Sequence, residues 1–155
     1  MKKVIAISAA ILVSLTSISS AHAHAGVDTR GVTPTKGVSS VILLRIGHGC
    51  TAPDGVTKVG THALSVVIPS ELLAAPASAA MQIPGFNAVV TPSAAVDAAG
   101  KPVSNTITWT AKSELFDVNP VGFAEFGIRG RWATAGMHWL DTTQVCRLAT
   151  KTPVA

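Results

Sequence analysis

Past its first two dozen residues this chain predicts an all-β fold, an antiparallel β-sandwich, and three observations carry that reading. Val, Ile and Thr recur in short runs bounded by Gly and Pro, the chemistry of strands and turns. Several runs alternate apolar and polar residues with period two, as a strand does when one of its faces is buried. No helical pattern intervenes between them, which disfavours parallel βαβ units and leaves sheet packed on sheet.

The chain begins with a different grammar. Met1-Lys2-Lys3 is a short basic segment, Val4 to Ile18 is apolar and uncharged, and Ala21-His22-Ala23 offers the small residues that signal peptidase needs. That order is a secretory signal. The apolar run falls short of the roughly 20 residues of a bilayer span. Residues 1–23 are therefore expected to be a cleaved signal peptide, and the mature chain to be periplasmic or secreted with no membrane span. Cleavage after Ala23 is the expected cut, with Ala21 and Ala25 as alternative sites. Removing 23 of the 155 residues leaves 132, the size of one domain. A chain of that length buries about two-thirds of its unfolded surface. Lys2 and Lys3 leave with the leader, so the formal charge of +4 falls by two, and the calculated pI of 9.4 overstates the basicity of the mature chain. No Lys/Arg block interleaved with aromatics occurs, which argues against a nucleic-acid partner.

The strands follow in order. Gly37 introduces Val38 to Ile46, apolar at its centre and expected to be buried on both faces. Gly47-His48-Gly49-Cys50 turns the chain, and Pro53-Asp54-Gly55 is a turn in which Pro sets φ and Gly supplies positive φ. From Thr61 to Ile68 the residues alternate, with His62, Leu64, Val66 and Ile68 on one face. Ser70 to Ala80 is Ala-rich and reads as one helical turn or a loop. Ile83-Pro84-Gly85-Phe86 turns into a strand over Phe86 to Thr91, and Ala94 to Pro102 is a hairpin tip. Thr106 to Thr110 sets Ile107 and Trp109 inward and threonines outward. Phe126, Ile128, Gly130 and Trp132 recur at period two, and Met137 to Cys146 closes the domain. The folded domain is expected over residues 24–146. Residues 147–155 lack apolar periodicity and read as a tail.

Cys50 and Cys146 are the chain's two cysteines. In an oxidising compartment an even pair is expected to form a disulfide, here tying an early strand to the last one. The competing reading is a thiolate ligand to copper.

Histidines at the cleavage site supply the chemistry. If His24 is the first residue, its α-amine and the Nδ1 of its imidazole can close a chelate ring on one metal ion. The amine has an ordinary pKa near ~7.7–8.0 and is available at neutral pH at modest cost. Imidazole is the commonest protein metal ligand. Such nitrogen donors in a tetragonal field suit Cu(II) better than a hard cation. The predicted metal residues are His24 and His48, with Asp28 or Asp54 as possible carboxylate ligands. His62 reads as a core or strand-end histidine. Met137 reads as packing, although Met137 with His138 could suit Cu(I). Trp132 and Trp139 read as core or sandwich rim.

The order of motifs also resembles a family. After the post-signal histidine come Gly37 with its apolar strand, Arg45-Ile46-Gly47-His48-Gly49-Cys50, Ile68-Pro69, Pro84-Gly85-Phe86, Ile107-Thr108-Trp109-Thr110, Phe126 with Arg129, and Gln144-Val145-Cys146. This is similar to the YcnI-like copper-binding domain family, across nearly all of residues 24–146. The resemblance implies a cupredoxin-like or immunoglobulin-like β-sandwich in the bacterial envelope. It also implies one Cu(II) held by the amine and imidazole of an N-terminal histidine, completed by an acid and a tryptophan. His24 matches that histidine. Where the family places its acid, this chain has His48-Gly49-Cys50, and no tryptophan follows Cys146. Trp109 matches a tryptophan of the family's Ile-Thr-Trp-Thr strand, in a core position.

The function expected is copper buffering or transfer, without catalysis, and with envelope copper-transport proteins as partners. Two other classes stand beside it. A secreted β-sandwich interaction module would bind a protein or glycan without metal. A copper-dependent oxidative enzyme would use His24 with His48, but the chain has no tyrosine and offers no flat aromatic surface. No Gly-x-Ser-x-Gly elbow or His-Glu-x-x-His helix occurs, and no spacing forces Glu114, Asp117 or Glu125 into a carboxylate pair.

Overall fold

The computed structural model describes residues 25–74 and 79–147. The predicted signal peptide, His24 and residues 148–155 lie outside them. Nine strands are described. The first sheet takes β1 (Ala25–Asp28), β2 (Ser39–Ile46), β8 (Ala124–Arg131) and β5 (Ala79–Ala80) in that order. In the second, β3 (Cys50–Thr51), β4 (Lys58–Pro69), β7 (Ser104–Ala111) and β6 (Phe86–Pro92) run side by side, and β9 (Thr142–Arg147) pairs with β4. All the pairings are antiparallel. Two single-turn 3-10 helices, Ser70–Leu72 and Glu114–Phe116, complete the order.

The inward residues are those that the alternation selects. Leu44, Ile46, Phe126 and Ile128 from the first sheet meet Leu64, Val66, Ile68, Ile107 and Trp109 from the second, and each is at most 1% exposed. β7 alternates without a break between half-buried and buried residues. The Trp109 ring lies 5.5 Å from that of Phe126, which meets Phe86 at 5.6 Å, both edge to face. Such aromatic pairs add to what area burial alone supplies. The indole N–H of Trp109 donates to the Met81 carbonyl (2.9 Å) and that of Trp132 to the Ser40 hydroxyl (2.9 Å), so neither buried donor is left unmatched.

Turn chemistry sets the connections. Gly85 has φ 81°, and a side chain there would run into the Phe116 ring. Asp97 accepts from the amides of Ala99 and Lys101 at the tip between β6 and β7. Asp54 accepts from the Thr57 hydroxyl and from the amides of Val56 and Thr57. Those bonds, the Thr57 hydroxyl first, hold its carboxyl below the usual carboxylate range.

Several expectations are corrected. Burial of the second strand on both faces holds at Leu43, whose side chain and that of Met81 both lie against Gly127, but Val41 is 49% exposed and Arg45 is also exposed. The alternation of β4 slips at a bulge between Thr61 and Ala63. His62, placed by sequence on the face of Leu64, Val66 and Ile68, is only half-buried, whereas Thr61 beside it is fully buried. An inserted residue shifts the facing of everything on one side of it. Met137 and Trp139 are not packed. They are 86% and 87% exposed, on an irregular segment that precedes β9. Arg147, assigned to the tail by sequence, belongs to β9 and pairs with Gly60. β1 was absent from the sequence reading.

Candidate metal site

The turn that carries His48 is held on three sides. Gly49 donates its amide to the Pro120 carbonyl (3.0 Å), and a Cβ there would collide with the Val59 carbonyl oxygen and the Pro120 Cα, so only glycine fits. Cys50 pairs with Val59 and is bonded to Cys146, with Cα atoms 6.1 Å apart. The disulfide expected from sequence is therefore present, and with Ala52 and Val59 it forms a small apolar cluster of its own. Gln144, two residues before Cys146, donates from Nε2 to the His48 carbonyl (3.2 Å) and to the Thr61 hydroxyl (2.5 Å).

His48 itself is exposed. Its Nδ1 lies 2.6 Å from the Gly49 carbonyl oxygen. A carbonyl cannot donate, so Nδ1 carries the proton and the lone pair sits on Nε2. Ligating histidines use this arrangement, with one ring nitrogen anchored to an acceptor and the other turned to the metal.

The carboxylate candidates are already engaged. Asp28 accepts from the Arg30 amide (2.7 Å) and pairs with the Arg45 guanidinium (2.6 Å). Asp54 caps its own turn. Glu125 lies between Arg45 and Arg30. The Arg45 hydrogen bond, then that of Arg30, lowers its carboxyl from the usual range, while Glu125 in turn raises Arg45. Arg45 also sits 5.8 Å over the Phe123 ring. The only sequence signal for this network is cross-strand: β2 and β8 place Arg45 opposite Glu125. Asp117 is half-buried between His62 Nδ1 (3.2 Å) and both ends of the Arg147 guanidinium (2.8 and 3.0 Å). His138 Nε2 meets the Ala135 carbonyl (3.3 Å). Among the described residues no three His, Cys, Asp or Glu side chains gather around one point.

His24 is outside the described residues, but its covalent neighbour is not. Ala25 opens β1 opposite Ile46, two residues before His48. A groove of about 350 Å³ opens toward the other end of β2, lined by Val27, Ile42, Leu72, Trp132 and Leu140 among others. None of the described helices is long and apolar enough to cross a membrane.

No protein-family model matches the chain, and no curated protein matches it. Among solved structures it is similar to an uncharacterized protein from Nocardia farcinica, whose crystal structure reveals an immunoglobulin-like fold. The two are 22% identical with a TM-score of 0.58, over 85% of this chain and 87% of that one. The likeness is one of fold, and the chain is an all-β sandwich of the immunoglobulin-like kind.

Proposed function

We propose that this chain is an exported copper-binding protein of the YcnI-like kind, buffering Cu(II) in the periplasm or outside the cell, or handing it to envelope copper-transport proteins, and not a catalyst. The α-amine and Nδ1 of His24 would hold the ion, with Nε2 of His48 as a further nitrogen. The observation that supports this most is the register of β1 on β2, since the residue bonded to His24 pairs two positions before His48. The donor chemistry agrees. An imidazole lone pair is available on a braced turn, whereas Asp28 and Asp54 are committed to other partners. Nitrogen-rich sites of this kind suit Cu(II), and a rigid support reduces what binding must order.

The exported protein, given one equivalent of Cu(II), is expected to show nitrogen hyperfine structure in its EPR spectrum. An aqueous-copper spectrum would contradict the proposal. The groove beneath Trp132 and the exposed Trp139 favour a second reading, an interaction module without metal. Intact mass separates the two, because a mature chain that starts at Gly26 has lost both leader histidines and supports the module.

A further inference from the structure

Gln144 lies on β9, half-buried, on the same side of the strand as Cys146. Its Nε2 faces the His48 carbonyl (3.2 Å), the Thr61 hydroxyl (2.5 Å) and Cys146 Sγ (3.6 Å). A carbonyl cannot donate, so the amide must turn its nitrogen toward His48 and not its oxygen. The oxygen, Oε1, is then buried and meets no donor among the described residues. An acceptor buried without a partner costs stability, and such atoms are rare enough to need a reason. The buried indoles of Trp109 and Trp132, by contrast, match their donors.

The peptide unit between His48 and Gly49 supplies that reason. Its carbonyl, on His48, accepts from Gln144, and its amide, on Gly49, donates to the Pro120 carbonyl (3.0 Å). The unit is planar, with its carbonyl and amide on opposite sides, so the two bonds together stop it from turning. The His48 ring hangs beside this unit, with Nδ1 fastened to the Gly49 carbonyl that follows it (2.6 Å). Turning the unit would carry that carbonyl away and release the ring. We infer that Gln144 is a positioning residue, which holds the His48 imidazole with Nε2 unblocked and leaves its own oxygen unmatched in doing so. The inference rests on the reading of His48 as a copper ligand. A ligand fixed beforehand need not be ordered when the ion binds. An apolar side chain of the same length would fill the place of Gln144 without the unmatched oxygen, but it could not hold the His48 carbonyl.

Gln144→Met tests this, because methionine keeps the length of the side chain and removes both polar atoms of the amide. The unfolding midpoint is expected to hold or rise. Cu(II) affinity is expected to fall about tenfold or more, as when the support behind a ligand is lost. The EPR spectrum is expected to lose the same nitrogen that His48→Ala loses. A wild-type spectrum in Gln144→Met overturns the inference. So does a midpoint that falls together with the affinity, since the amide would then serve the fold. If His48→Ala leaves the copper spectrum unchanged, the reading of His48 as a ligand fails, and nitrogen NMR of the metal-free imidazole decides on Gln144. A proton on Nδ1 of His48 in the wild type that shifts toward Nε2 in Gln144→Met upholds the positioning role. The same tautomer in both proteins overturns it.

Discussion

Replacing both cysteines, as Cys50→Ala with Cys146→Ala, is expected to cost about 4 kcal/mol of unfolding free energy. The bridge joins residues 96 apart in sequence. In the chain-entropy account, removing it frees an unfolded chain that the cross-link had confined, and loops of this length lose the most. The folded side adds to the effect. β9 pairs along β4 through a bulge, and its Cys146 end is tied to β3 by the disulfide. Alanines also thin the small cluster around Ala52 and Val59. Domains have about 5–15 kcal/mol in total, so the variant would stand near the edge of folding. Urea unfolding of both proteins reads this directly. A difference below about 1 kcal/mol would mean that the bridge constrains little in either state.

Trp109→Ala is expected to cost about 3–5 kcal/mol, through the cavity left at the centre of the sandwich. Trp109 is fully buried, in contact with Phe126, and its removal also leaves the Met81 carbonyl without its donor. Trp109→Phe keeps an aromatic ring in the core but loses the N–H and part of the indole volume, so a smaller cost of about 1–3 kcal/mol is expected. Denaturant unfolding with an unchanged slope checks both. Equal losses for the two variants would place the energy in the hydrogen bond instead of the packing.

Those two effects could be located from sequence because each has a local signature. Trp109 sits in a strand whose alternation is complete, and two cysteines in one chain have one possible pairing with each other. β8 and the turns at Gly85 and Asp97 were legible for the same reason. β1 was not. Ala-Gly-Val-Asp has no periodicity of its own and becomes a strand only because β2 offers an edge. The bulge at Thr61 was hidden because Thr, His and Ala fit the alternation in either facing. Trp139 was misplaced by composition, since tryptophan usually seeks a core, whereas this one lies in irregular chain around Gly136, whose φ is 110°. Of the candidate site, His48 and the disulfide were legible as residues. The support beneath them, from Pro120, Val59 and Gln144, comes from segments far apart in the chain and needs the fold to bring it together.

The proposal turns on a single nitrogen, the backbone amine that leader cleavage would free on His24. Titrating Cu(II) into the processed chain, and into the same chain acetylated on the amine of His24, tests it most directly. Acetylation turns the amine into an amide and leaves every side chain in place. Affinity is expected to fall by about a hundredfold or more, beyond what losing a supporting group usually costs. Equal affinities would show that the ion, if bound at all, is held without that amine.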